Sequence, residues 1–90
     1  MEKLFMFENL NKTLYVEVKP RSVALSWRLD YEDGVEDAFG LSYDSGELGT
    51  ERIKRAVSVQ LSQSSEKDLL KKILDFGLFK DLHGYIKQFM

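Results

Sequence analysis

The side chains with the most chemistry in this chain are carboxylates. Between positions 29 and 51 there are eight, Asp30, Glu32, Asp33, Glu36, Asp37, Asp44, Glu47 and Glu51, and no lysine or arginine. Five of them lie between Asp30 and Asp37, around Tyr31. Grouped carboxylates can do acid–base work or hold a hard cation. Asp30-x-Glu32-Asp33-Gly34 has the look of a calcium-loop start, but its glycine comes too early and the glutamate due at the twelfth position is misplaced. A hairpin tip needs Asp and Gly for its turn in any case. One reading of the cluster is a solvated tip whose charge keeps a sheet edge from aggregating. The other is a docking surface, since carboxylates around an aromatic anchor speed encounter with a basic protein and fix its orientation. The expected protein-binding residues are Asp30, Tyr31, Glu32, Asp33, Glu36 and Asp37, with Tyr31 as the anchor.

The remaining chemistry is sparse. Histidine occurs once, at His83, and cysteine not at all, so disulfides and thiolate metal sites are excluded and a zinc site is not expected. A lone histidine near many serines gives only a formal Ser–His dyad, and no nucleophile–base pair rises above chance. Asp75-Phe76-Gly77 spells a kinase signature in a chain far too short for a kinase. Gly34, Gly40, Gly46 and Gly49 are not spaced for a phosphate loop or a dinucleotide fingerprint. The sequence therefore predicts a binding protein rather than an enzyme, with no cofactor and no metal.

Charge is distributed unevenly along the chain. Residues 1–51 hold 11 acidic and five basic side chains, residues 52–90 four acidic and eight basic. Arg52, Lys54 and Arg55, with Lys67, Lys71 and Lys72, could meet phosphates. Direct nucleic-acid binding usually comes with a basic domain, and a net charge of −2 opposes it. The leading expectation is an inhibitor or antidote that docks its acidic hairpin on the basic surface of a target protein. The alternative is a nucleic-acid-associated protein using residues 52–55 and the helix lysines. Assembly of a homo-oligomer through open sheet edges is a third possibility.

These side chains need a scaffold. Ninety residues make one domain, and a hydrophobic content of 43% separates the chain from disordered sequences. The longest apolar run at the start, Leu4–Phe7, is too short for a signal-peptide core, and nothing approaches a membrane span, so a cytoplasmic location is expected. Strand-like patterns come first and helical ones last, which predicts an α+β fold over residues 1–90. The expected form is an antiparallel four- or five-stranded meander over residues 1–62, with one or two C-terminal helices over 64–89 packed on one face.

Registers can be tested against the period-two pattern. Leu14, Val16 and Val18 run into Lys19-Pro20-Arg21-Ser22, and a tight turn at Pro20-Arg21 pairs Val18 with Val23, Val16 with Leu25 and Leu14 with Trp27. For the next hairpin a three-residue loop, Glu32-Asp33-Gly34, pairs Trp27 with Phe39, Leu25 with Leu41, Val23 with Tyr43 and Asp30 with Glu36. A two-residue Asp33-Gly34 loop pairs Trp27 with Gly40 and splits the apolar sets between faces. The three-residue register is preferred, and it leaves Ala24, Ser26, Ala38, Gly40 and Ser42 as a small-residue outer face. In the first strand Leu4/Met6 and Phe5/Phe7 compete for the inward face. Residues 51–62 fit a helix capped by Thr50 or a fifth strand; the basic side chains at the helix start and the Val57-Ser58-Val59 triplet favour the strand. Further on, Ser64 or Ser65 caps a helix carrying Leu69, Leu70, Ile73 and Leu74, Gly77 breaks it, and Phe79, Leu82, Ile86 and Phe89 continue at helical spacing.

Overall fold

The computed structural model describes residues 2–30, 37–43 and 48–90, with the side chains of Asp30 and of residues 37–42 left aside. Strands β1 (Lys3–Asn9), β2 (Lys12–Lys19), β3 (Ser22–Asp30) and β4 (Asp37–Tyr43) pair antiparallel in the order β1-β2-β3-β4. Helices α1 (Glu51–Ser62), α2 (Glu66–Asp75) and α3 (His83–Ile86) follow, with short 3₁₀ turns at Lys80–Leu82 and Lys87–Phe89. The fold is α+β, and no described helix is long and apolar enough to cross a membrane.

The β2–β3 hairpin has the register that its alternation demands. Leu14 faces Trp27, Val16 faces Leu25 and Val18 faces Val23 across the Pro20-Arg21 turn. The apolar members of this set are fully buried, apart from the half-buried Trp27. Phe5 pairs with Val16 and Phe7 with Leu14, so Phe5 and Phe7 face inward and Leu4 and Met6 face outward. Leu61, Leu69, Leu70, Ile73, Leu78, Phe79 and Ile86 close over this face to form the core.

The β3–β4 register overturns the expected one. Trp27 pairs with Gly40, Leu25 with Ser42, Ala24 with Tyr43 and Asp30 with Asp37, one residue away from the Phe39 and Glu36 pairings. The preference for the three-residue loop assumed that the apolar positions of β4 must join the core. The helical layer, however, lies over the earlier strands: α1 packs on β2 and β3, and the C-terminal turns pack on β1. At β4 the core-side positions fall to Ala38, Gly40 and Ser42, while Phe39, Leu41 and Tyr43 take positions opposite Arg28, Ser26 and Ala24. The expected stripe of small residues is therefore divided between the two sides of the sheet.

Residues 51–62 are helix α1, so there is no fifth strand there and the helical part of the chain begins at Glu51, not near residue 64. The Thr50 hydroxyl accepts a hydrogen bond from the Ile53 backbone N–H at 3.4 Å and caps the helix. Glu51 offsets the unfavourable placement of cations at this end, pairing with Lys54 at 3.6 Å and with Arg21 at 3.1 Å. Burial of Ser58 and Leu61 one turn apart, with Val57 packed beside them, outweighs the strand preference of the valines. Helix α2 has Ser65 as its N-cap, but the serine hydroxyl caps no backbone N–H and donates instead to the Asp68 carboxylate at 3.0 Å. It ends in a Schellman turn, with Gly77 N–H bonded to Leu74 O, Leu78 N–H bonded to Ile73 O, and Gly77 at φ +71°.

Candidate functional site: an acidic strand end and a helix-free sheet face

Of the six expected docking residues, the register brings two together. Asp30 ends β3, Asp37 begins β4, and the two are directly paired. Tyr31, Glu32, Asp33 and Glu36 lie outside the described residues. Antiparallel partners sit about 4.5–5.5 Å apart at Cα, and like charges directly opposite are destabilising. This end of the hairpin therefore opens on a carboxylate pair, in a stretch without a single cation of its own.

The side of the sheet away from the helices keeps Ala24 and Ser26 of the small-residue outer face expected from the pattern, and adds large side chains that the pattern did not single out. Its rows follow from the registers: Leu4 beside Glu17, Ala24 and Tyr43; Met6 beside Tyr15 and Ser26; Glu8 beside Thr13 and Arg28. Leu4 is 61% exposed and Met6 and Tyr43 are each 51% exposed, far above what a core position tolerates. Tyr43 is held in place from two sides. Its hydroxyl donates to Ser22 Oγ, and Lys19 Nζ lies 5.5 Å from its ring centroid. Lys19 in turn pairs with Glu17 at 3.2 Å; the hydrogen bond it donates to that carboxylate, then the carboxylate's charge, raises the lysine pKa above its ordinary value. One signal for this surface was present in the sequence. Leu4, Phe5, Met6 and Phe7 are all apolar, so whichever pair entered the core, the other had to emerge on the opposite face.

The basic residues are less concentrated than their spacing implied. Arg52 and Arg55 are exposed and line a cleft with Glu51, while Lys54 is half-buried and tied to that same glutamate. At the other end of the molecule, Trp27, Tyr85 and Phe89 form a tilted aromatic chain with centroid separations of 5.9 and 5.4 Å. Next to it, Phe7, Leu70, Phe89 and Met90 line a cleft of about 290 Å³ whose charged members are Glu66 and Lys67. His83 is half-buried with Nε2 2.6 Å from Leu78 O, so it serves the C-terminal turn. No cluster of His, Asp and Glu among the described residues could hold a metal ion. No protein-family model, curated protein or solved structure matches this chain.

Proposed function

We propose that the protein is a small protein-binding module, an inhibitor or antidote, that docks its acidic hairpin on a basic surface of a target protein. Asp30, Tyr31, Glu32, Asp33, Glu36 and Asp37 form the contact surface; Tyr31 is its anchor and the carboxylates steer the approach. The observation that carries this reading is the direct pairing of Asp30 with Asp37. Such a pair costs stability in the free protein, and cations supplied by a partner remove that cost. The role is binding without catalysis, in the cytoplasm.

The test is a pull-down from nuclease-treated source-cell lysate with the wild type and a variant neutralised at Asp30, Glu32, Asp33, Glu36 and Asp37, both first shown to be folded. A protein retained by the wild type and lost by the variant supports the proposal; equal retention refutes it. With the partner in hand, added salt slows association far more than it speeds dissociation, because screened charges steer less well. The second reading, nucleic-acid association, draws on Arg52 and Arg55, exposed three residues apart on α1. It requires a gel shift at low salt that weakens steeply as salt is added.

A further inference from the structure

We infer, given the β3–β4 hairpin as the docking element, that β4 is an open sheet edge and takes up an extended segment of the target protein as a fifth strand. The segment that fits alternates large apolar side chains on its helix side and carries lysine or arginine at both of its ends.

The two edges of the sheet are built differently. β1 is covered by its own chain: the Lys87–Phe89 turn packs on it, Asn9 Nδ2 donates to Gln88 O and Lys3 Nζ donates to Ser62 O. β4 ends the sheet on the other side, and among the described residues no further strand lies beyond it. Helix α1 packs on β2 and β3 instead. An edge strand turns every second residue's N–H and C=O outward, ready to pair with another chain. Proteins blunt such an edge with a very short strand, a lysine, a proline or a bulge. β4 has none of these. It is seven residues long, its only charge is Asp37 at one end, and its pairing with β3 runs one-to-one from Asp37 to Tyr43.

Charge selects a target segment over a second copy. Pairing β4 with the β4 of another copy, antiparallel about Gly40, brings the Glu36-Asp37 end of each chain to the Tyr43-Asp44 end of the other. Like charges then meet at both ends of the ladder, and no lysine or arginine between positions 29 and 51 relieves them. A strand with cations at both ends meets acid at both, so the same charges that oppose self-pairing favour a basic partner.

The apolar alternation follows from the register. On the helix side the positions of β4 are Ala38, Gly40 and Ser42, paired with Leu29, Trp27 and Leu25. Residues this small leave room for large side chains of an added strand to lean toward Trp27 and Leu29, both of which are half-buried. In strand addition the main-chain hydrogen bonds supply affinity and the alternate side chains supply specificity.

The probe is a synthetic peptide long enough to span β4, alternating valine and threonine with two lysines at each end. Titrated into the isotope-labelled full chain, it is expected to shift the backbone amides of residues 37–43 and to leave those of β1 unmoved. The same peptide with glutamates for lysines should bind at least about tenfold more weakly, and one with a central proline should lose most of its affinity. Gly40→Pro and Leu41→Pro test the edge from the protein's side. Consecutive residues of an edge strand turn their N–H groups to opposite sides, so one of the two variants keeps the β3 pairing, melts like the parent and loses the peptide. An absence of binding, shifts confined to another surface, or equal affinity for the lysine and glutamate peptides overturns the inference. So does a folded proline variant that binds as the wild type does, or a concentration-dependent shift of residues 37–43 without peptide, which assigns the edge to a second copy. With the target of the pull-down in hand, excess lysine peptide should displace it. A target lost on carboxylate neutralisation but not displaced by the peptide leaves acidic docking standing and sinks strand addition. A target retained after neutralisation sinks the docking itself, while the peptide titration still decides whether β4 is an open edge.

Discussion

Two buried hydroxyls, Ser58 Oγ and Tyr85 Oη, have no hydrogen-bond partner among the described residues. An unsatisfied buried hydroxyl costs about 1–3 kcal/mol. Ser58→Ala removes one and supplies a better helix former, so it is expected to stabilise the fold by about 1 kcal/mol in urea denaturation. Tyr85→Phe keeps the ring against Trp27 and Phe89 and is expected to gain a similar amount. The tyrosine adds a dependence on pH. Burial raises its pKa above the ordinary value of 10.0, so the native chain holds a proton that the unfolded chain releases once the solution passes that value. The stability due to Tyr85 is complete below about pH 10 and declines above it. The advantage of Tyr85→Phe should therefore be larger at about pH 11 than at about pH 8, as paired denaturation curves will show. An equal advantage at both would mean that the hydroxyl is solvated.

Among the elements, α1 depends most on local detail. Its cap is one hydroxyl, Thr50 Oγ1, and Glu51 is the only acid in its first turn. Thr50→Ala is expected to cost about 1 kcal/mol, read from the denaturant midpoint with the slope unchanged. Loss of the Arg21–Glu51 bridge, whose side chains are 59% and 65% exposed, should cost much less, since solvent screens such pairs. The cap was legible in residues 50–54, whereas the bridge joins Glu51 to an arginine 30 residues earlier in the chain and was not. What propensity could not supply was the partner surface: Ser58 and Leu61 are buried because β2 and β3 lie beneath α1. Where two local patterns fit equally well, the surface available for burial decides between them. Helix α2 left no such choice, because its Leu69–Leu70–Ile73 stripe has no reading as an alternating strand and Gly77 supplies the left-handed stop.

At the scale of the molecule, Trp27 joins the sheet to the C-terminal segment through Tyr85 and Phe89. Trp27→Ala is expected to cost roughly 3–5 kcal/mol, enough to unfold much of a domain this small. A thermal midpoint unchanged from the parent would show that the aromatic chain contributes no cohesion. Neutralising the carboxylates should abolish capture of the partner and leave the thermal midpoint unchanged or higher, since the like-charge pairing of Asp30 with Asp37 is removed.

The sequence by itself determined the α+β class, the β2–β3 register, the helix after Ser65 and its stop at Gly77. In each case alternation, a cap or a turn residue admitted one geometry. It also put the carboxylates of residues 29–51 into one stretch, since charge patterning needs no coordinates. Tertiary structure decided three things: that 51–62 is a helix, that Phe5 and Phe7 rather than Leu4 and Met6 enter the core, and that β4 pairs one residue away from the pattern-matched register. All three share one physical cause. Period-two reasoning specifies a strand only where exactly one of its faces is buried. β1 is apolar on both faces, and the helical layer does not dictate which side of β4 must be apolar. The choice passed to the placement of the helices, which lies in long-range contacts and in no local window of the chain.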